Sequence, residues 1–163
     1  MDMTFLLQFF IILPLVGFLI SLLIPSKQEG MLSGITFLTT FLQMIGAWAF
    51  IAVWLFTGHH SLNLKDIVVF KSVDYEFFID FNFDKITAVY LFVGSFLTFL
   101  VATFSRYYLH REPGYKRFFN TVLFFYIGYN LVIFSGNLET LFIGWEILGI
   151  SSFLLIAFYR DRY

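Results

Sequence analysis

The sequence contains no cysteine, and that one absence excludes disulfides, iron–sulfur clusters and thiolate metal sites. Histidine is nearly absent as well: His59, His60 and His110 all fall outside the apolar blocks, so a membrane haem held by paired histidines is not expected. His59 and His60 are neighbours in a loop, where adjacent side chains point apart, and they do not make a metal pair. Charge is scarce, at 13% of residues. The chain has no phosphate-binding glycine pattern and nothing that marks a nucleic-acid surface. No cofactor of its own and no redox chemistry are therefore expected.

What fills the sequence instead is hydrophobicity. Sixty per cent of the residues are hydrophobic and the mean hydropathy is +0.84, far from the range of water-soluble domains. The apolar residues come in uninterrupted blocks as long as a bilayer is thick, not in amphipathic stripes. This predicts an all-α membrane protein of about five transmembrane helices, forming one membrane domain over residues 1–163. The expected spans are Thr4–Ile24, Met31–Thr57, Ile86–Phe104, Phe118–Ser135 and Leu141–Tyr159, the last three near the ~20 residues that a ~30 Å hydrocarbon layer requires. A cleaved signal peptide is the competing reading of the first block, but Met1-Asp2-Met3 supplies no basic leader. Trp48 and Trp54, towards the end of the second run, are expected as interfacial anchors. The twenty-five phenylalanines read as lipid-facing and packing residues rather than a cofactor box.

One stretch breaks the pattern. From Tyr75 to Phe83, apolar Tyr75, Phe77, Ile79, Phe81 and Phe83 alternate with Asp74, Glu76, Phe78, Asp80 and Asn82, which is strand periodicity. With Ile67-Val68-Val69-Phe70 just upstream, this predicts a short antiparallel β-hairpin over about residues 66–83, lying on the membrane surface between the second and third helices. Asp84 stands where it would cap the third helix.

The loop charges predict orientation. One face collects seven basic residues (Lys27, Arg106, Arg111, Lys116, Arg117, Arg160, Arg162) against Glu29, Glu112 and Asp161, or +4; the other collects Lys65, Lys71 and Lys85 against seven acids, or −4. The basic face should be cytoplasmic, with the N-terminus and hairpin outside. The loop carrying Arg106, Arg111, Lys116 and Arg117 is read as a turn that fixes topology and meets lipid headgroups.

The two faces cancel, so the formal charge of −1 rests on the one remaining ionisable residue, Glu146. It lies about a third of the way into the fifth span, where a charged side chain costs roughly 2.5–3.5 kcal/mol on insertion scales and must face protein, protonate or find a partner. Every Lys and Arg of this chain lies in a loop or at a helix end, so no cation is at hand for a static pair. Glu146 is therefore the candidate proton-channel residue, the alternative being a structural anchor in which it only holds helices together. Gly144 and Gly149 are candidate helix-packing positions, with Gly149 leaving space beside the carboxylate. Asn130, with Tyr126 and Tyr129, could extend a polar path towards Glu146 or serve as interhelical hydrogen-bond glue.

The order of hairpin, Asp84 opening a helix, Phe104-Ser105-Arg106-Tyr107-Tyr108-Leu109, Pro113-Gly114-Tyr115-Lys116-Arg117-Phe118-Phe119, and then Gly144-Trp145-Glu146 followed by Ser151-Ser152-Phe153-Leu154-Leu155-Ile156 resembles the antiporter-like proton-translocating subunits. These are the chain 5 or L-type subunit of NADH-quinone oxidoreductase (complex I) and its relatives in Mrp-type sodium/proton antiporters and inorganic-carbon uptake systems. The resemblance implies proton translocation coupled to electron transport done by other subunits, or, in the relatives, sodium/proton exchange or carbon uptake. It implies a multi-pass place in the cell inner membrane beside other subunits of a complex I-like or Mrp-like assembly. It implies that Glu146 is a proton-channel residue paired with a lysine on a seventh helix, which this chain does not contain. It also implies two inverted five-helix repeats, spanning helices four to eight and nine to thirteen, so an N-terminal part of a longer subunit is expected.

Overall fold

The computed structural model describes residues 3–58, 60–71 and 76–158. His59, the expected turn at 72–75, both ends of the chain and with them Asp2, Arg160, Asp161 and Arg162 lie outside the described residues. Five helices run in order: α1 (Met3–Leu23), α2 (Glu29–Phe56), then after a two-stranded hairpin α3 (Lys85–Tyr108), α4 (Tyr115–Phe134) and α5 (Leu138–Ile156). All five are long and apolar enough to cross a membrane, and the chain is an all-α multi-pass membrane protein with a small β appendage.

The hairpin pairs β1 (Leu62–Lys71) with β2 (Glu76–Phe83) antiparallel, from Leu62 opposite Phe83 to Lys71 opposite Glu76, with irregularities at 65/67 and 68/70. Instead of resting on the bundle, it plugs into it. Period-2 alternation turns Phe81 and Phe83 inward, where they join Phe10, Phe50, Trp54 and Phe134 in the larger core cluster. The strand is also tied to the α4–α5 turn. Gly136 N–H donates to the Asp80 carbonyl at 2.8 Å, Asn137 Nδ2 donates to the Phe78 carbonyl at 2.7 Å, and Asp80 N–H donates to Thr140 Oγ1 at 3.1 Å.

This corrects the reading of Trp54, which is only 2% exposed rather than an interfacial anchor. The ring of Phe83 meets it edge-on at 5.1 Å, and its indole N–H donates to the His60 carbonyl at 2.9 Å. The hairpin covers the end of α2 and takes Trp54 out of contact with lipid.

Helix boundaries follow from caps. Asp84 opens α3 as expected, its Oδ1 accepting from Thr87 N–H at 2.9 Å, and Asn137 does the same for α5 through Thr140 N–H at 2.9 Å, each satisfying an orphan donor of a first turn. Gly114 precedes α4 at φ +91°, a conformation that favours glycine. Both α4 and α5 start three residues earlier than hydropathy alone indicates: the Asn137 cap sets the first turn of α5, and α4 opens directly after Gly114.

At the basic end, α4 closes off its neighbours. Lys116 Nζ donates to the carbonyls of Leu22 (2.9 Å) and Ile24 (2.7 Å), and an Arg117 guanidinium N–H donates to the Phe158 carbonyl at 3.0 Å. These cations satisfy carbonyls at the C-terminal ends of α1 and α5, where positive charge is favoured. His110 and Glu29 pair beside them at 2.9 Å.

Candidate functional site

The orientation of Glu146 is decided by a glycine two residues away. Gly144 of α5 and Gly128 of α4 meet where the two helices cross. A Cβ built on Gly144 would stand 2.8 Å from Val132 N, and one on Gly128 would stand 3.0 Å from Leu148 N and 3.1 Å from the Gly144 carbonyl. Only residues without a Cβ allow backbones this close. With Thr140 and Ser151, Gly144 forms the buried stripe of α5, the i, i+4, i+11 spacing of one helical face.

Glu146 is about 200° round the helix from Gly144, since each residue turns the axis by about 100°. It therefore stands on the opposite face, exposed, in the stripe Phe142, Trp145, Glu146, Gly149, Ile150 and Phe153. It is the ninth residue of the nineteen in α5, closer to mid-span than the hydropathy boundaries place it because the helix begins earlier. Among the described residues it makes no hydrogen bond or ion pair. The described lysines and arginines lie in loops, in the hairpin or in terminal turns of helices. Gly149 shares this outward face and has no atom within 4 Å of a built Cβ. Among the described residues the space beside Gly149 is open, as the expectation of room next to the carboxylate requires.

Of the two readings of Asn130, Tyr126 and Tyr129, a polar path or interhelical glue, the hydrogen bonds of Asn130 and Tyr129 follow the second. Asn130 and Tyr126 are fully buried on the side of α4 turned to α1 and α2, away from α5. Their environment is explained by Pro14, which lies inside α1. Proline has no N–H, so the carbonyl four residues earlier, that of Phe10, loses its place in the helical ladder. Two side chains replace the missing donor: Gln43 Nε2 of α2 at 2.8 Å and Asn130 Nδ2 of α4 at 2.9 Å. Tyr129 turns to α3 instead, donating from its hydroxyl to the Tyr90 carbonyl at 2.7 Å, with its ring over Gly94. Asn130 and Tyr129 thus join helices, and neither approaches Glu146. Gln43, which joins α1 to α2, was missed from sequence; the signal was a buried amide in an apolar run combined with a proline inside another helix.

Five apolar spans and a plugged hairpin define a multi-pass membrane protein, with a mid-span carboxylate at Glu146. Comparison with known proteins gives the family. The profile described as "NADH-Ubiquinone oxidoreductase (complex I), chain 5 N-terminus" matches residues 70–119, from the end of β1 into the first turns of α4. NADH-ubiquinone oxidoreductase chain 5 of Halichoerus grypus is 38% identical over 84 residues, 52% of this chain and 14% of that protein. The chain of the same name from Felis catus gives the same identity and coverage, and that from Mammuthus primigenius is 32% identical over 114 residues, 70% of this chain and 17% of that protein. The chain belongs, as an N-terminal part, to the antiporter-like complex I subunit family. It spans about one-seventh of the length of the first curated relatives it matches, and the profile match ends before Glu146.

Proposed function

We propose that this chain forms part of a proton-translocation half-channel in a complex I-like membrane assembly, with Glu146 as its proton-holding group and with electron transfer done by other subunits. The observation that carries this reading is the placement of Glu146: a carboxylate at mid-span, on the face of α5 that this chain leaves uncovered. A charge at such a site costs roughly 2.5–3.5 kcal/mol against lipid, so the face has to be covered by protein or the group has to be neutral. When a helix bearing a cation packs there, the carboxylate is favoured in its charged form; when that cation moves or loses its charge, the protonated form is favoured. A coupled pair of this kind takes up and releases a proton in response to distant events. Gln43, Tyr129 and Asn130 join helices and carry no proton in this reading. The basic end faces the cytoplasm and the hairpin faces outward, as the loop charges require.

The test is proton pumping in membrane vesicles carrying the assembled complex at matched expression. Glu146→Gln keeps size and hydrogen-bonding capacity but cannot ionise, and pumping should fall at least tenfold while assembly survives. Glu146→Asp should be milder. Full pumping by Glu146→Gln would leave the anchoring role as the better account.

A further inference from the structure

At the basic end, α1, α2, α4, α5 and the turns before α2 and α4 line an open pocket of about 610 Å³, and its chemistry is graded. Its mouth carries Lys116 and Arg117 together with Glu29 and Glu112, while its floor is apolar, formed by Phe18 and Phe124 stacked at 5.3 Å and by Leu154. From Lys116 to Phe124 is eight residues of α4, or about 12 Å along the helix at 1.5 Å per residue. The pocket therefore runs from the end of the spans into their apolar zone. A small polar metabolite would leave that floor unmatched, and a free fatty chain would leave the mouth unmatched.

The mouth has capacity beyond its internal bonds. Lys116 uses two of its three N–H donors on the Leu22 and Ile24 carbonyls, and Arg117 places one of five on the Phe158 carbonyl. The donors that remain suit a phosphate. The lining sets two carboxylates beside two cations, with Glu29 also accepting from His110 Nδ1 at 2.9 Å and from the Arg111 N–H at 3.3 Å, so the mouth is bipolar rather than purely basic. A purely anionic headgroup would meet Glu29 and Glu112 as like charges, whereas a headgroup joining a phosphate to an ammonium meets an opposite charge at each end. A primary ammonium also donates hydrogen bonds to a carboxylate, which a quaternary one cannot.

We propose that this pocket binds one aminophospholipid of the ethanolamine type, its phosphate at Lys116 and Arg117, its ammonium at Glu29 and Glu112, and an acyl chain against Phe18, Phe124 and Leu154. The site lies at the opposite end of the bundle from the hairpin, and it stands whether or not Glu146 carries protons.

The experiment is lipid retention by the full chain in detergent, measured by native mass spectrometry after washing and after back-addition of phosphatidylethanolamine, phosphatidylglycerol or phosphatidylcholine. One ethanolamine lipid per chain should remain, with at least tenfold preference over the other two. Leu154→Trp, which fills the floor from its exposed side, should abolish retention while helical content is unchanged. Glu112→Gln should shift the preference towards phosphatidylglycerol. Equal retention of all three lipids, preference for phosphatidylglycerol in the unaltered chain, or retention undiminished by Leu154→Trp would each overturn the assignment. Should Leu154→Trp fail to fold, the selectivity of Glu112→Gln decides alone.

Discussion

The Phe10 carbonyl offers a direct test of how the bundle is held together. Pro14 removes that carbonyl's helical donor, and Gln43 and Asn130 replace it from two other helices. Either amide alone still satisfies the carbonyl, so Gln43→Met or Asn130→Leu singly should cost only about 0.6 kcal/mol, the average for an interhelical hydrogen bond within a membrane. Together they leave a buried carbonyl without a donor, which costs about 1–3 kcal/mol more. The double variant should therefore exceed the sum of the singles by about 1–3 kcal/mol, a coupling of the size expected for groups sharing one partner. Pro14→Ala returns an N–H to position 14 and lets α1 satisfy its own carbonyl. In that background the same pair of substitutions should be additive to within about 0.5 kcal/mol. The assay is reversible unfolding of each variant in mixed micelles by titration with a denaturing detergent, followed by far-ultraviolet circular dichroism. Additivity in the unaltered Pro14 chain, or equal coupling in both backgrounds, would refute the argument.

Two other predictions follow from the packing and the charges. Gly144→Ala should destabilise the chain by about 1–3 kcal/mol in the same assay, because its Cβ would stand 2.8 Å from the backbone of α4, whereas Gly149→Ala, with open space around it, should be neutral or stabilising by up to about 1 kcal/mol through helix propensity; equal effects at the two sites would contradict the packing described. Cysteines introduced by Ser61→Cys at the hairpin and Lys27→Cys at the basic end, both exposed, should report topology, with an impermeant thiol reagent added outside cells labelling the first and not the second; the reverse result would invert the orientation.

Features that rest on composition and local chemistry were legible before the structure. The five spans follow from apolar length, the hairpin from the alternation ending at Phe81 and Phe83, and the α3 cap from Asp84 preceding Thr87 by three residues. What sequence did not convey was which face of each helix turns inward. α5 is apolar nearly all round, so its periodicity has little to say, and only Gly144 marked the buried side; the same glycine sends Glu146 outward. Trp54 was misread because an interfacial tryptophan and one beneath a folded-back hairpin look alike in one dimension. Lys116 and Arg117 were read as headgroup contacts, and their use as caps for α1 and α5 depends on which helix ends lie beside them, which is tertiary information. The polar residues of α4 were left between a path and interhelical glue for the same reason. Tyr126, Tyr129 and Asn130 share a helix with Gly128, and the close contact of Gly128 with α5 turns them elsewhere.

The outward placement of Glu146 cannot be relieved by a small rotation of α5. The start of the helix is pinned: Asn137 both caps it and donates to the Phe78 carbonyl, and Thr140 Oγ1 accepts from Asp80 N–H. One turn later Gly144 is seated against Val132 with no room for even a methyl group. Turning Glu146 towards α4 would swing Gly144 out by the same angle and bring Trp145 or Ile147 into a contact that admits only glycine. It would also break three hydrogen bonds to the hairpin and the cap. Those losses exceed the roughly 2.5–3.5 kcal/mol that an exposed charge costs at mid-span. Whatever protein covers Glu146 must therefore come to α5 from outside this five-helix bundle. The apolar residues flanking the carboxylate, Phe142, Trp145, Ile150 and Phe153, with the open notch at Gly149, provide a surface on which another helix could seat beside it.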